Sequence, residues 1–473
     1  MTVAYSAGSI RWYVAGRTPE IALGLPAVPP ATNVGCMARP RVVIVGAGFA
    51  GFHAAKKLSR LARGRAEITV INPTDYLLYV PLLPEVAVGV LEPRQVAVSL
   101  TSALPGVKLV LGEASSIDFD ANEVHYADPE GIDGRVPYDR LVLALGSVNK
   151  LLPIPGVNDH AHGFRGIPEA LYLHDHIVRQ IELALVEPDP AECEARCTFV
   201  VVGAGYTGTE VAAHGKRFTD LVARQKRAPI TPRWMLLDIA KQVLPELDVR
   251  MSADADRVLR RRGVDVAMGV SVQEAMHDGV RLTDGRYIPT RTLIWCVGVR
   301  PDPVVDDLGL PTERGRIVVD EYLRVPGHPR VYACGDAAAV PDPANPGKAT
   351  PMTAQHAVRH GNQVARNIAA EYGTGRARPY RHRELGFVVD LGGWDSTANP
   401  LGVHVSGLAA TAVTRGYHLL SLPGNRVRVV GDWLLDAFLP RHAVQLGLIR
   451  APEVPLDNAA PELPVRPVPV PSR

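Results

Sequence analysis

The chain has few of the features that mark secreted, membrane-spanning or nucleic-acid-binding proteins. Its five cysteines among 473 residues are odd in number and scattered, which argues against a disulfide framework and suits a reducing compartment. No uninterrupted apolar run reaches the roughly 18 residues that a membrane-spanning helix needs. The formal net charge is only +2. Because no basic stripe alternates with aromatic residues either, nothing predicts a nucleic-acid partner.

Both ends of the chain are expected to lie outside the folded part. Residues 1–40 combine prolines with scattered charges and look like neither a signal peptide nor a domain. They are predicted to be a disordered or non-native extension, with the natural start near Met37. Residues 451–473 are rich in proline, which predicts an extended, disordered tail. At about 150 residues per domain, the chain predicts about three domains.

The most informative positive feature is a glycine fingerprint that occurs twice. The first copy is Gly46-Ala47-Gly48-Phe49-Ala50-Gly51 and the second is Gly203-Ala204-Gly205-Tyr206-Thr207-Gly208. Each copy follows an apolar strand and opens a predicted helix. In that context the glycines allow a tight turn, a close approach to a pyrophosphate and close helix–strand packing, and the helix N-terminus holds the phosphates. Two copies predict two bound dinucleotides, with electrons passing between them.

A polar residue ends the second strand of each predicted unit. In the second unit this residue is Asp238, which is expected to hold the adenosine ribose hydroxyls. Its carboxylate favours NADH because it would repel the extra phosphate of NADPH, although a helix N-cap or loop aspartate is the alternative interpretation. In the first unit the matching position is Asn72, which is uncharged and grips a ribose less firmly.

Two further acids stand near predicted helix starts. Glu210 is predicted in the first helical turn after the second fingerprint, where it either complements the helix dipole or meets the nicotinamide ribose or carboxamide. Asp336 follows a buried strand and is predicted to begin a helix as its N-cap. In a flavoprotein the same residue would fix the flavin ribityl chain and a nearby phosphate.

A helix is predicted from about Thr353 to Glu371. His356 and His360 would share one face of it, as two metal ligands can, but no third ligand has suitable spacing, so no metal is predicted. Cys193 and Cys197 are predicted to be two thiols in a surface loop rather than a redox or zinc pair.

The span from Arg41 to about Leu448 resembles the type II NADH dehydrogenases (NADH:quinone oxidoreductases), within the flavoproteins that have two dinucleotide-binding domains. Besides the two fingerprints, the matching segments are residues 79–89, 138–147, 294–300, 331–338 and 353–361. The last of these is similar to that family's quinone-site signature AQxAxQ. Arg359 replaces the second glutamine of the signature.

The resemblance implies an α/β fold with two Rossmann-like dinucleotide-binding domains of the three-layer ββα type and a small C-terminal segment. The FAD domain would be discontinuous, formed by residues 41–160 and 299–373. The NADH domain would span residues 161–298. Residues 374–450 would form a region that associates with a membrane or acts as a lid.

The resemblance also implies the residues of the two sites. Those expected at FAD are Gly46, Gly48, Phe49, Ala50, Gly51, Asn72, Pro81, Ala114, Ala144, Gly146, Gly335, Asp336, Ala354 and Gln355. Those expected at NADH are Gly203, Gly205, Tyr206, Thr207, Gly208, Glu210, Asp238, Val297 and Gly298. Glu210 and Gln355 are expected to be the catalytic residues, with Gln355 near the quinone.

The implied reaction is hydride transfer from NADH to FAD, followed by transfer of two electrons to menaquinone or ubiquinone without proton pumping. Residues 432–439 form a short amphipathic stretch that either lies on a membrane or packs as a lid on the flavin domain. The expected location is the cytoplasmic face of the cell membrane, and otherwise the cytoplasm. A homodimer is left open.

Two other classes of function are compatible with the same motifs. One is an NADH:acceptor diaphorase or a pyridine nucleotide–disulfide-type reductase with a non-quinone acceptor, although no close cysteine pair follows the first fingerprint. The other is an FAD- and NADH-binding sensor with slow turnover, for which the departures at Asn72 and Arg359 leave room.

Overall fold

A computed structural model describes residues 39–382, 384–439 and 441–458. Nearly all of the predicted N-terminal extension and the end of the tail lie outside these residues. The strand Arg41–Val45 is almost entirely apolar and buried, as expected for a strand covered on both faces of a parallel sheet. It lies inside a six-stranded sheet. In order across that sheet the strands are Arg324–Val325, His328–Ala333, Arg140–Leu143, Arg41–Val45, Glu67–Asn72 and Lys108–Leu111.

Two long helices pack closely together beside this sheet. The helix Phe49–Ala62 follows the first fingerprint, and the helix Ala354–Glu371 crosses it. The crossing depends on Gly361, where a Cβ would lie 2.0 Å from the carbonyl oxygen of Ala50. The helix that carries Gln355 is thereby placed against the first fingerprint.

The second fingerprint belongs to a separate sheet of five parallel strands. Its central strand, Thr198–Val202, is buried along its whole length. In order across the sheet the strands are Ala161–Gly163, Thr292–Trp295, Thr198–Val202, Arg233–Asp238 and Val264–Met268. The predicted α/β fold with two Rossmann-like units is confirmed. Each fingerprint lies at the carboxyl ends of the parallel strands of its own sheet, and the first sheet also has one antiparallel edge strand, Arg324–Val325.

Smaller sheets connect and flank these two units. Ser147–Asn149 pairs antiparallel with Val299–Pro301, so the two segments that connect the units lie side by side. The other strands are Glu113–Asp118, Glu123–Ala127 and Asp133–Pro137; Val272–Met276, Gly279–Leu282 and Tyr287–Pro289; Thr312–Glu313, Arg316–Val318 and Ala338–Ala339; Tyr76–Leu78 and Ala97–Ser99; Val388–Asp390, Ser396–Ala398 and Val405–Ser406.

The remaining helices surround the sheets. They are Leu83–Ala87, Pro93–Val96, Leu100–Ala103, Val157–His160, Ile167–Ala184, Pro190–Arg196, Tyr206–Gln225, Val249–Arg261, Val304–Asp307, Gly407–Ser421 and Arg426–Phe438. Single 3₁₀ turns occur at Val80–Leu82, Gly335–Ala337, Pro400–Gly402 and Ala451–Glu453.

The prediction of a disordered tail from residue 451 is wrong for its first eight residues. Leu456 is buried in a hydrophobic cluster with Leu151 and Trp295, and Asn158 donates a hydrogen bond to Asp457 at 2.9 Å. Burial of an apolar side chain offsets the cost of ordering this segment, despite its prolines. The other predicted domain boundaries stay predictions.

Candidate functional site

The first fingerprint forms a turn that leaves an open approach for a ligand. Gly46 has φ +93°, and a Cβ there would lie 2.3 Å from the carbonyl oxygen of Ala144. A Cβ at Gly51 would lie 1.8 Å from the carbonyl oxygen of Gly46. At Gly48, by contrast, a Cβ would meet nothing within 4 Å. The outer glycines therefore shape the turn, while Gly48 leaves room beside the helix N-terminus for a pyrophosphate.

The second fingerprint repeats this geometry. Gly203 has φ +103°, and a Cβ there would lie 2.2 Å from the carbonyl oxygen of Cys296. A Cβ at Gly208 would lie 1.8 Å from the carbonyl oxygen of Gly203, and one at Gly205 would meet nothing within 4 Å. Both turns thus have the form that holds a dinucleotide, and the residues present fit FAD and NADH.

The polar residues at the ends of the second strands brace the two turns. The Oδ1 atom of Asn72 accepts a hydrogen bond from the Ala47 N–H at 2.7 Å. In the second unit Asp238 accepts one from the Ala204 N–H at 2.5 Å and another from the Ala240 N–H at 2.7 Å. Asn72 and Asp238 therefore each hold the adjacent turn by accepting a hydrogen bond from a backbone N–H. They differ in charge, because only Asp238 carries a carboxylate.

Asp336 does not begin a helix, which corrects the sequence interpretation. It lies in a three-residue 3₁₀ turn, Gly335–Ala337, after which the chain pairs with a neighbouring strand as Ala338–Ala339. The half-buried carboxylate accepts a hydrogen bond from the Ser147 hydroxyl at 2.8 Å, and burial raises its pKa. A role toward a flavin ribityl chain stays a prediction, but no helix dipole supports it.

Glu210 also differs from its predicted setting. The helix begins at Tyr206, so Glu210 is its fifth residue and lies beyond the first turn, where the dipole acts most strongly. Its carboxylate instead accepts a hydrogen bond from the backbone N–H of Asp390 at 3.1 Å. Burial raises the pKa of Glu210 well above its ordinary value.

Gln355 lies in the first turn of the helix Ala354–Glu371, which Thr353 caps by accepting a hydrogen bond from the His356 N–H at 3.3 Å. The Gln355 side chain is hydrogen-bonded within the protein. It donates to the carbonyl oxygen of Gly386 at 2.8 Å and accepts from Arg359 at 3.1 Å. Arg359, which departs from the family signature, thus positions the glutamine from one turn further along the helix.

His356 and His360 are held by protein partners. Nδ1 of His356 lies 2.8 Å from the Tyr380 hydroxyl, and His360 lies 3.4 Å from the hydroxyl of Thr350. Within the described residues, no group of three or more histidine, cysteine or acidic side chains could hold a metal ion. The histidine pair therefore belongs to the packing of this helix.

The prediction for Cys193 and Cys197 is wrong about their setting. Cys193 lies within the helix Pro190–Arg196 and donates to the carbonyl oxygen of Ala184 at 3.4 Å. Cys197 follows the helix and is buried. Both thiols are part of the packing between this helix and its neighbours rather than of a surface loop.

The other predicted site residues lie around the two turns. Phe49, Ala50, Tyr206 and Thr207 open the two fingerprint helices. Ala144 and Gly146 follow the strand Arg140–Leu143, and Val297 and Gly298 follow the strand Thr292–Trp295. Each of these strands pairs with the strand that leads into the turn. Gly335 contacts Ala50, because a Cβ on Gly335 would lie 2.9 Å from that of Ala50. Ala354 starts the crossing helix, Pro81 lies in a 3₁₀ turn and Ala114 lies on an antiparallel strand.

Sequence reasoning missed several contacts around these turns. The Tyr79 hydroxyl lies 3.2 Å from Nδ1 of His418, and the Tyr79 ring meets Phe49 edge-on with centroids 5.9 Å apart. Trp433 donates to Glu85 at 2.6 Å. The two hydrogen-bonded pairs span 339 and 348 residues, so no local pattern could have paired them.

Comparison with known proteins decides between the families that share this geometry. Residues 40–361 match the family model described as pyridine nucleotide-disulphide oxidoreductase. The type II NADH:quinone oxidoreductase NdhA of Mycobacterium tuberculosis is 31% identical over 432 residues, which cover 87% of this chain and 89% of that protein. The chain belongs to the type II NADH:quinone oxidoreductase branch of this family.

A second curated relative supports this family, and a solved structure shows the same fold. An internal alternative NAD(P)H-ubiquinone oxidoreductase of Solanum tuberosum is 29% identical, with 84% of this chain and 86% of that protein covered. The structure of NDH2 from Plasmodium falciparum in complex with NADH matches with a TM-score of 0.79 and 16% identity, covering 86% of this chain and all of that chain. The predicted family, enzyme class and FAD and NADH cofactors are confirmed.

Proposed function

We propose that this protein is an FAD-dependent NADH:quinone oxidoreductase. The observation that carries the proposal is the pair of braced glycine turns, each with an open approach at Gly48 or Gly205, in a chain of this family. When bound, FAD accepts a hydride from NADH and passes two electrons to the acceptor. The protein's own residues bind and orient the cofactors and exclude water.

The first turn, with Asn72, Gly146 and Asp336, is assigned to FAD, and the second turn to NADH. Asp238 supports NADH over NADPH, because its carboxylate would lie near the 2′ position of the adenosine ribose and repel a phosphate there. Its hydrogen bonds from two backbone N–H groups hold that carboxylate in place.

The quinone is proposed to approach near Gln355. This side chain is held by Gly386 and Arg359, on a helix that packs directly on the first fingerprint helix. The names of the relatives, which include quinone and ubiquinone oxidoreductases, support a quinone as the acceptor. Menaquinone and ubiquinone are both candidates.

The cysteines near the turns support a quinone over a disulfide acceptor. Cys334 directly precedes the Gly335-Asp336 turn, and Cys296 lies beside the second fingerprint. Burial raises the pKa of both thiols to about 12. Since disulfide exchange needs a thiolate, these groups are poorly suited to a disulfide reductase.

The C-terminal helices are proposed to contact the cytoplasmic face of the cell membrane. Several large apolar side chains there are exposed, namely Leu420, Val427, Leu434, Leu435, Phe438 and Leu439. The exposed Arg426 and Arg428 stand next to them and match anionic headgroups. In the described part of the chain, no helix has the length and apolar character to cross a bilayer.

Anaerobic steady-state turnover tests the proposed reaction. Purified, FAD-loaded protein should oxidise NADH with menaquinone or ubiquinone and form one quinol for each NADH consumed. Glutathione disulfide should not replace the quinone. Turnover with dyes or oxygen alone would contradict the quinone assignment and leave a diaphorase, and slow turnover with every acceptor would favour the sensor.

A further inference from the structure

Two buried carboxyl groups contact each other between the two fingerprint units. Glu85 lies on the short helix Leu83–Ala87 and is 4% exposed, and Asp390 ends the strand Val388–Asp390 and is 9% exposed. Both carboxyl groups line the same small cavity, and each shifts the pKa of the other. Burial and mutual repulsion oppose ionisation of both groups at once, which favours one proton on the pair.

The pKa of Glu85 is raised and that of Asp390 is lowered, which assigns the proton to Glu85. Asp390 accepts a hydrogen bond from the Gly392 N–H at 2.8 Å, which suits an ionised acceptor. Glu85 accepts one from the indole N–H of Trp433 at 2.6 Å. Burial and the neighbouring Asp390 both raise the pKa of Glu85 well above its ordinary value.

The pair is linked to both fingerprints. On one side, the backbone N–H of Asp390 donates to Glu210 on the second fingerprint helix. On the other side, His418 lies near Asp390 and 3.2 Å from the hydroxyl of Tyr79, whose ring meets Phe49 of the first fingerprint. The pair therefore lies between the two dinucleotide sites.

A small cavity lies beside the pair. Its volume of about 20 Å³ is enough for a single water molecule. Beside the two carboxyl groups, it is lined by charged or titratable side chains from the second fingerprint helix and the C-terminal segment, namely His214, Arg217, Arg415, Asp436 and Arg441. A water there would connect the pair to groups nearer the surface.

We propose that Glu85 and Asp390 form a proton store for quinone reduction. The inference rests on the proposed function, in which NADH, one proton and a quinone give NAD⁺ and a quinol. Each turnover thus takes one proton from the medium for two electrons. Glu85 releases that proton toward the acceptor side, and the pair takes one back from water through the cavity.

Infrared spectroscopy of the holoenzyme tests the stored proton without reference to activity. At neutral pH the wild-type protein should show the C=O stretch of a protonated, buried carboxylic acid. The wild-type minus Glu85→Gln difference spectrum should contain one such band, because glutamine cannot titrate. The difference separates this band from that of any other protonated buried acid, such as Glu210. Glu130→Gln, at an exposed acid, is the matched control and should retain this band. A wild-type minus Glu85→Gln difference spectrum without this band would overturn the proposal.

Rapid-mixing kinetics separate this inference from the proposed function. In Glu85→Gln, anaerobic reduction of the flavin by NADH should stay within about twofold of wild type, while its reoxidation by quinone should slow about 10²-fold. Wild-type reoxidation in both Glu85→Gln and Asp390→Asn would refute the proton store alone. Failure of the wild type to be reoxidised would refute the proposed function. If Glu85→Gln does not fold, the same infrared difference and the same reoxidation rate are measured on Asp390→Asn to test the proton store.

Discussion

At the residue scale, different glycines of each turn serve the fold and the ligand. The glycines that the fold needs are those whose Cβ would strike backbone, such as Gly203 beside Cys296. The glycine that a ligand needs is Gly205, where a Cβ would enter open space. The fingerprint spacing alone predicted which glycines serve each purpose, because the turn is local and its geometry depends on adjacent residues.

Gly205→Ala should therefore leave the free energy of unfolding within about 0.5 kcal/mol of wild type and weaken NADH binding about tenfold or more. The new methyl group would occupy the space into which the pyrophosphate fits. Denaturant unfolding and NADH titration measure the two quantities. Gly203→Ala is the contrasting variant, and it should lose more than about 1 kcal/mol of stability. Unchanged NADH affinity in Gly205→Ala would contradict the assignment of this turn.

Asp238→Asn should raise the KM for NADH about tenfold or more, since hydrogen bonds to a charged group contribute about 1.5–3 kcal/mol, and should lessen the preference over NADPH. The fold should persist because Asn72 braces the first turn in the same way. Steady-state kinetics with both nucleotides measure the effect. Asp265→Asn, at an exposed carboxylate paired with Arg233, is the control. An unaltered NADH/NADPH ratio in Asp238→Asn would count against the ribose role.

At the scale of elements, the sequence left open whether the helix Arg426–Phe438 packs on the protein as a lid or lies on a membrane. The structure gives this helix one face for each role. Val429 and Trp433 are buried against the rest of the protein, while Leu434 and Phe438 are exposed. The amphipathic stretch was visible in the sequence, but its orientation was not. Because Trp433 donates to Glu85 from 348 residues away, it faces the protein and not the membrane.

Phe438→Asp should weaken binding to vesicles that contain anionic phospholipid and leave thermal stability unchanged, because this side chain is 81% exposed. Vesicle co-sedimentation measures the binding. Val186→Asp is the matched control, since Val186 is 79% exposed and lies outside the C-terminal helices. If Phe438→Asp sediments with vesicles as the wild type does, the membrane contact is contradicted. If the same variant also disrupts a dimer, this surface binds a second copy of the chain.

At the scale of the whole molecule, the parts that sequence could not predict are those where distant segments meet. The contact of Asp390 with Glu210 spans 180 residues, and that of Tyr79 with His418 spans 339. The helix expected at Asp336 was wrong for the same kind of reason. The residues that follow it pair with the strand Arg316–Val318, and this tertiary pairing overrides the local helix-start pattern.

The buried histidines predict how stability depends on pH. Burial lowers the pKa of His162, His214 and His418 to about 4, whereas in an unfolded chain it is about 6.5. Between these values the unfolded state binds more protons, so stability should fall as pH drops from about 6.5 to about 4. Thermal melts across this range check the slope. A Tm that stays constant on acidification would show that these side chains are not buried as neutral groups.

The central claim, that electrons pass from NADH through FAD to a quinone, is tested most directly by an anaerobic titration of the flavin spectrum. One equivalent of NADH per flavin should bleach the oxidised flavin band, and one equivalent of menaquinone or ubiquinone should restore it. A band that NADH cannot bleach, or a bleached band that neither quinone restores, would contradict the account.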